Sequence, residues 1–516
     1  MQTVRDFFSA APMARAQRFG FQDLVRRRFR RLFLLVLFLT AIAKAGAFLP
    51  AYSIDDYFLT LDSPPPATML GQGRFGAALL LQLFHLIQLE PSYARIFFVA
   101  FALAVSSLLA ALIVRHWNLK GWPAVAAAAM IALHPFTTEI FTFRTALGIS
   151  MCALLLLAAL LVPRRWSPAG VLAGSALFAV ALSIYQVVLH YALMIVLLGA
   201  AIGLTRLVIA GRRTALRGMA RGRNAALLAC TVLGTLLYAA INAVLSRALQ
   251  VTMTARTRLI PLSGIGERAA KVWEVLRYRF LEPSPLIGRF PKALLLLLLL
   301  LALLGLAARL RPLAARSVLL FLAVAGLLAA ALVWTVGIIL VLDDFWPVPR
   351  VMSHTGVFWA GVLAIAFASL GAWGRRALAG VSLLLVLSFV GSSNRILNDQ
   401  VRLNVRDAAK ANRIVARLEA LPGFTGTETV AVHGSTWSYP LSYGTADHDM
   451  NISAFGADWA KVALLREVSG YDLKLAKADA QKAAAAAYCG GVPPWPGPGS
   501  VTIRDGLAIL CLGFQP

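Results

Sequence analysis

The sequence predicts an all-α polytopic membrane protein of about eleven helices, followed by a small α/β domain. Three observations predict it. Apolar residues make up 59% of the 516 and charged residues only 14%, far from the balance of a water-soluble domain. Apolar runs recur at the length that crosses a hydrocarbon core of about 30 Å, roughly 20 helical residues each, and Leu294–Leu306 is almost pure leucine. Basic residues collect in alternate turns between those runs.

The net charge of +26 resembles that of a nucleic-acid binder until it is mapped. The turns at 1–31, 115–120, 164–166, 206–223, 309–316 and 375–376 hold 23 of the 49 Lys and Arg. They hold two of the 23 acids, Asp6 and Asp23, so this set carries +21 and the rest of the chain +5. That is the positive-inside pattern, which places these turns in the cytoplasm and argues against a nucleic-acid partner.

Residues 1–31 form a basic cytoplasmic segment. It is too long, and the apolar run after it too complete, for a cleaved signal. Arg15–Arg31 reads either as a topology determinant or as a stretch lying on anionic lipid. The transmembrane domain is 32–391, with spans at roughly 32–50, 93–114, 122–135, 143–162, 168–184, 187–205, 225–245, 293–308, 317–342, 355–373 and 378–391. Outer loops fall at 51–92 and 246–292. Gly71–Leu89 is expected as an amphipathic, re-entrant or surface helix outside. Within the second loop, Val272, Trp273, Leu276 and Phe280 give Glu267–Phe280 one apolar face. The loop's cations, Arg256, Arg258, Arg268, Lys271, Arg277, Arg279 and Arg289, suit a phosphate or anionic glycan, or equally lipid headgroups.

After Gly391 the patterning becomes globular, and residues 392–516 carry 11 of the 23 acids. Asp407–Leu421 has helical spacing that stops at Pro422-Gly423. Glu428–His433 and Ala508–Leu512 read as strands, Ala480–Ala487 as a small-residue helix, and Pro493–Pro498 as a turn. The charge map puts this α/β domain outside, in the periplasm. Cys152 and Cys230 lie within spans, while Cys489 and Cys511 are either a disulfide of an oxidising compartment or two buried thiols. No Cys-x-x-Cys, Walker A loop or dinucleotide fingerprint is present, which sets aside an ATP-driven pump and a classical redox enzyme.

Polar residues at membrane depth gather at the outer helix ends. The first outer loop gives Asp55 and Asp56 within Ser53–Tyr57, then Asp62, Gln72 and Arg74. Later ends give His134 with Glu139 and Arg144, then Tyr185, Gln186 and His190. The last group is Asp343, Asp344, Trp346, Arg350 and His354. Lys44 lies within snorkelling reach of the same face. Adjacent carboxylates at a helix mouth are costly unless used. A carboxylate can act as general base on a hydroxyl. Arginines and histidines suit a phosphate leaving group, and Tyr57, Tyr185 and Trp346 suit sugar rings. An outward site has no access to cytoplasmic nucleotide sugars, so the expected donor is a lipid-phosphate sugar.

Five motifs in this order resemble the bacterial glucosyltransferase-II family: Asp55-Asp56, Gly73-Arg74, His134-Pro135, Tyr185-Gln186 and Pro349-Arg350. The resemblance extends over roughly residues 30–410 and implies a GT-C-like fold in the inner membrane. It also implies glucose transfer from undecaprenyl-phosphate glucose to periplasmic O-antigen of lipopolysaccharide. On that reading Asp55 and Asp56 are the catalytic acids. Gln72, Arg74, His134, Arg144, Tyr185, Gln186, His190 and Arg350 bind the donor phosphate or substrate, with Tyr57, Glu139, Asp343 and Asp344 behind them. Mg²⁺ or Mn²⁺ on Asp55 and Asp56 is an open expectation, since arginines serve a phosphate equally well.

Each residue also has a plainer reading. Asp55 and Asp56 could cap a helix, Arg74 could snorkel, His134 and His190 could be satisfied helix-end residues, and Tyr185 could be an interfacial anchor. Two other functions fit less well. An O-antigen polymerase or ligase would centre on arginines. A lipid-linked glycan transporter would show paired halves and midplane charges, and neither is seen.

Overall fold

The computed structural model describes residues 27–61, 66–91, 94–163, 167–210, 222–310, 316–439 and 444–515. Most of the amino-terminal basic segment, the turns at 164–166 and 211–221, and Asp62 lie outside the described residues.

The chain is mostly helical. The first elements are α1 (Arg27–Ala43), α2 (Ile54–Leu61), α3 (Pro66–Gly71), α4 (Phe75–Leu86), α5 (Arg95–His116), α6 (Trp122–Leu133), α7 (Pro135–Thr142) and α8 (Arg144–Leu160). Then come α9 (Pro168–Ile184), α10 (Val187–Ala210), α11 (Arg223–Ala248), α12 (Ile265–Leu276), α13 (Arg289–Leu310), α14 (Arg316–Trp334), α15 (Thr355–Ser369) and α16 (Ala372–Glu419). Among the described residues five helices, α5, α10, α11, α13 and α16, are long and apolar enough to cross a membrane alone. The bent pair α6–α7 makes a sixth if it is one span. Helices α4, α8, α9, α14 and α15 are apolar but shorter; the expectation of eleven spans needs α8, α9, α14 and α15 together with α1, while α4 belongs to the segment expected as a surface or re-entrant helix.

Alanine and glycine let the central helices come close. α6 and α15 are buried along almost their whole length and pack on each other, with α10, α13 and α16 around them. Gly71–Leu89 contains the twelve-residue α4, which lies against α9. Gly76 permits that approach, because a Cβ there would meet the Ser183 hydroxyl at 2.2 Å.

The α6–α7 break follows from the His134-Pro135 dyad. Proline pushes the residue before it out of the helical region. His134 has φ −52° and ψ 132°, its Nδ1 accepts the Phe136 N–H at 3.3 Å, and the chain bends by 42°.

α16 runs unbroken for 48 residues, roughly 70 Å at 1.5 Å per residue, through Gly391 and on beyond the apolar stretch. Its carboxyl-terminal half carries a four-stranded sheet of order β2-β1-β4-β3: β1 (Thr429–Thr436), β2 (Lys474–Leu475), β3 (Val501–Arg504) and β4 (Leu507–Gln515). β1 is parallel to β2 and β4, and β3–β4 is antiparallel. Helices α17 (Asp458–Ser469) and α18 (Asp479–Cys489) complete the layer, and Cys489 is disulfide-bonded to Cys511 of β4.

The α16 carboxylates fix this domain in place. Asp399 accepts the Thr445 hydroxyl at 2.6 Å, and Asp407 accepts the Ser453 hydroxyl at 2.5 Å and the Ala454 N–H at 2.8 Å. Ile54 and Tyr57 of α2 are buried in the same apolar core as Ile414, Leu418, Val430, Phe455 and Leu464. The Asp-Asp segment is therefore packed as part of the carboxyl-terminal domain.

Candidate active site

A cavity of about 1020 Å³ lies between one set of helix ends and the carboxyl-terminal domain. That is at the top of the usual range for small-molecule sites, about 300–1,000 Å³, and it leaves room for two substrates. Asp55, Gln72, Arg74, Tyr185, Trp346 and Arg350 line it, gathered from four separate stretches of sequence.

Asp55 and its neighbour divide. Asp55 reaches the cavity, and burial pushes its carboxyl up to about 6, opposed by the Arg350 cation and reinforced by Asp449 and Asp56. Asp56 is fully buried and does not line the cavity. Its carboxylate accepts the Ser53 N–H at 2.8 Å, the Arg144 N–H at 3.2 Å, and both the N–H and the hydroxyl of Thr145 at 3.0 and 3.1 Å. It caps α8, where an anion complements the helix dipole.

Arg74 belongs to a braced turn. Gly73 has φ +71°, a region glycine enters without strain, and a Cβ there would meet the Tyr238 hydroxyl at 2.5 Å. Tyr238 donates to the Gly73 carbonyl at 2.9 Å, and Gln186 donates to the Gln72 carbonyl at 3.0 Å. Arg74 donates through Nε to Gln186 at 3.2 Å and lies 5.3 Å from the Tyr185 ring. Its two terminal nitrogens have no hydrogen-bond partner among the described residues. Gln186 thus braces the turn without lining the cavity.

Arg350 is engaged with carboxylates. Its fork meets Asp449 at 2.6 and 2.7 Å, and it also pairs with the fully buried Glu139 at 2.5 Å. The bend at His134 is what brings Glu139 on α7 to this point. Arg350 therefore joins α7 to the carboxyl-terminal domain, with Phe143 beneath its guanidinium at 4.4 Å.

The 246–292 loop supplies a cation that is better placed. Arg256 lines the cavity and spends only Nε on Asp344, at 3.1 Å. Asp343 pairs with Arg258 at 3.0 Å, so the Asp343-Asp344 dyad anchors this loop rather than touching the cavity. Two other cations of the loop are clamps. Arg268 donates to the carbonyls of Ile339, Leu342 and Asp343, and Arg279 pairs with buried Asp447 and donates to Pro347 at 3.1 Å. Together they hold the loop segment that presents Trp346.

The structure does not bring the remaining expected residues to the cavity. His134 is a buried cap between Phe136 and Phe389. His190 donates from Nδ1 to the Val351 carbonyl at 3.0 Å and accepts the Ile338 N–H at Nε2 at 3.0 Å, leaving no ring nitrogen for a ligand. Arg144 lies over the Tyr52 ring at 3.8 Å, Tyr57 donates to Asn404 at 3.3 Å, and Lys44 is buried against Thr137 at 2.9 Å. The sequence predicts each of them at or near an outer helix end, but its side chain turns into the packing between elements.

The unforeseen part is the other wall. The carboxyl-terminal domain carries no sequence motif that points to chemistry, yet His433, Trp437, His448, Asp449, Trp459 and Phe514 line the cavity. Among the described residues no three His, Cys, Asp or Glu side chains are arranged to hold a metal ion. Both Asp56 oxygens accept hydrogen bonds, while Asp55 and Asp449 both line the cavity.

Compared with known proteins, residues 45–367 match the family described as glucosyl transferase GtrII, more than half of the chain and most of the transmembrane region. No curated protein and no solved structure matches.

Proposed function

We propose that this chain, which belongs to the glucosyl transferase GtrII family, moves glucose from a polyprenyl-phosphate sugar to a hydroxyl of a periplasmic glycan such as O-antigen. The observation that carries this reading is the placement of Asp55 in one cavity with the cations Arg74 and Arg256. The acceptor hydroxyl gives its proton to the Asp55 carboxylate as its oxygen bonds to the anomeric carbon. The bond from that carbon to the phosphate oxygen breaks, and the electron pair leaves on the polyprenyl phosphate. Arg74 and Arg256 offset the charge that develops there. A carboxyl near 6 is ionised at neutral pH and remains a competent base.

The lipid donor is supported by the helix-lined part of the cavity. Ala77 and Leu81 of α4, Ile149 of α8 and Ile184 of α9 make that wall apolar, as a polyprenyl chain requires. The outward orientation is supported by the split of +21 against +5 between the two sets of turns.

A solubilised assay tests the donor. Polyprenyl-phosphate glucose and a nucleotide glucose are offered separately with a glycan acceptor, and transfer is expected from the lipid donor only. Efficient transfer from the nucleotide sugar alone would overturn the reading. Impermeant labelling of Phe514→Cys from the periplasmic side tests the orientation, and protection there would reverse it.

A further inference from the structure

The wall of the cavity made by the carboxyl-terminal domain has a composition that donor chemistry does not explain. Trp437 is 44% exposed, Trp459 42% and Phe514 76%, and all three line the cavity, facing the same space as Trp346 at 39%. Large aromatic side chains in a folded domain are ordinarily covered, and an exposed cluster within a cavity points to a ligand. Each of these is held by different structure. Trp437 follows β1, and its indole rests on Gly456, where a Cβ would sit 3.1 Å from the ring. Trp459 stands in the first turn of α17, and Phe514 ends β4 with its ring against His433 at 5.5 Å. Three elements thus present rings to one space without covering one another.

These rings come from the carboxyl-terminal domain, whereas the apolar stretch that suits a lipid tail comes from α4, α8 and α9. The cavity also exceeds what one sugar phosphate needs. Aromatic faces suit the C–H faces of sugar rings, and the buried cation on this wall, Lys461, is held by the Gly434 carbonyl and Asp458. Trp346 and Asp449 connect this wall to Arg350 and hence to the neighbourhood of Asp55.

We infer that the carboxyl-terminal domain is the acceptor subsite: an oligosaccharide chain stacks its sugar rings on Trp437 and Trp459 and reaches Asp55 with one hydroxyl. The inference rests on the glycosyl-transfer reading above and assigns the half of the cavity that reading leaves unassigned. Trp437 and Trp459 bind and orient; they are not catalytic residues. The domain acts as the receptor for the chain to be modified.

The test uses the full-length protein in detergent. The probe is the organism's own surface oligosaccharide, released by mild acid, with a dextran fragment of equal length as control. Binding is followed by intrinsic tryptophan fluorescence in Asp55→Asn protein without donor, so that turnover plays no part. Saturable binding of the oligosaccharide is expected, weakened tenfold or more by Trp437→Ala and by Trp459→Ala and largely restored in Trp437→Phe. In the turnover assay with wild-type Asp55, acceptor KM rises by the same factor while donor KM moves less than twofold. Should the alanine variants fail to fold, Phe514→Ala, at the exposed end of β4, carries the same expectation. Binding equal to wild type in the alanine variants, or no saturable binding by the parent protein, overturns the inference. Failure of the glycosyl-transfer reading looks different: the parent protein would bind oligosaccharide yet transfer nothing from the lipid donor.

Discussion

Asp56 accepts both the backbone N–H of Thr145 at 3.0 Å and the Thr145 hydroxyl at 3.1 Å, so the second acid of the Asp-Asp pair caps a helix some ninety residues downstream. Neighbours on a helix face different ways, and here that separates their work. With Asp56 held by α8, Asp55 is left to the cavity. The pair is one base and one anchor.

Substitution should separate the two. Asp55→Asn is expected to lower kcat by about 10²–10⁴-fold, the usual loss for a general base, with the melting temperature unchanged. Asp56→Ala leaves buried donors unpaired, which costs about 1–3 kcal/mol and should appear first as lower thermal stability. Single-turnover rates and thermal unfolding on both variants check this. An Asp56→Ala protein as stable as the parent but inactive would reverse the assignment.

The pH profile follows from burial of Asp55. A base must be ionised to take a proton, and its carboxyl is held near 6, so activity is lost on the acid side. kcat/KM should fall about tenfold per pH unit below 6 and be flat above 7. Asp449 is a negative neighbour that raises this value, so Asp449→Asn should move the acid limb to lower pH. A limb that moved upward would mean that Asp449 acts mainly by holding Arg350.

Much of the membrane wall was legible in the sequence, because its residues sit in short polar groups at the ends of apolar runs. Asp55, Arg74, Tyr185, Trp346 and Arg350 are all of this kind. His134 and His190 were singled out for the same reason, but a histidine before proline becomes a cap, and His190 is consumed by backbone partners. The opposite wall was not legible. Trp437, Asp449 and Trp459 lie in loops and first turns without periodic pattern, and only the docking of their domain on α16 brings them to Asp55. The sequence predicts a span ending at Gly391 and a separate helix at Asp407–Leu421, whereas one 48-residue helix runs through both and holds the two regions together.

The arginines should separate as well. Arg74 has its terminal nitrogens directed to no carboxylate, so Arg74→Ala is expected to raise donor KM ten- to a hundredfold. Charge-assisted bonds to phosphate are worth about 1.5–3 kcal/mol. Arg74→Lys should recover part of this, since a point charge does not reproduce the guanidinium fork. Arg350→Ala instead leaves Glu139 buried without its partner, at a cost of about 3–5 kcal/mol, and should reduce the yield of folded protein. Donor titrations beside thermal unfolding distinguish the two, and a well-folded Arg350→Ala protein with only a donor defect would place Arg350 on the phosphate.

Asn404 tests whether the carboxyl-terminal domain positions the base. Its side chain accepts the Tyr52 N–H at 2.7 Å and donates to the Tyr52 carbonyl at 2.9 Å, and the Tyr57 hydroxyl donates to it at 3.3 Å. One α16 residue thus holds both ends of the segment that contains Asp55. A misplacement of about 1 Å can cost about 10²-fold in rate. Asn404→Ala should therefore lower kcat ten- to a hundredfold, with both KM values little changed and the acid limb still near 6, because Asp55 keeps its surroundings. Asn404→Asp still accepts from Tyr52 but has no N–H for its carbonyl, and should fall between the two. Parent-level turnover in Asn404→Ala would mean that α2 holds Asp55 through its packing against α17 alone.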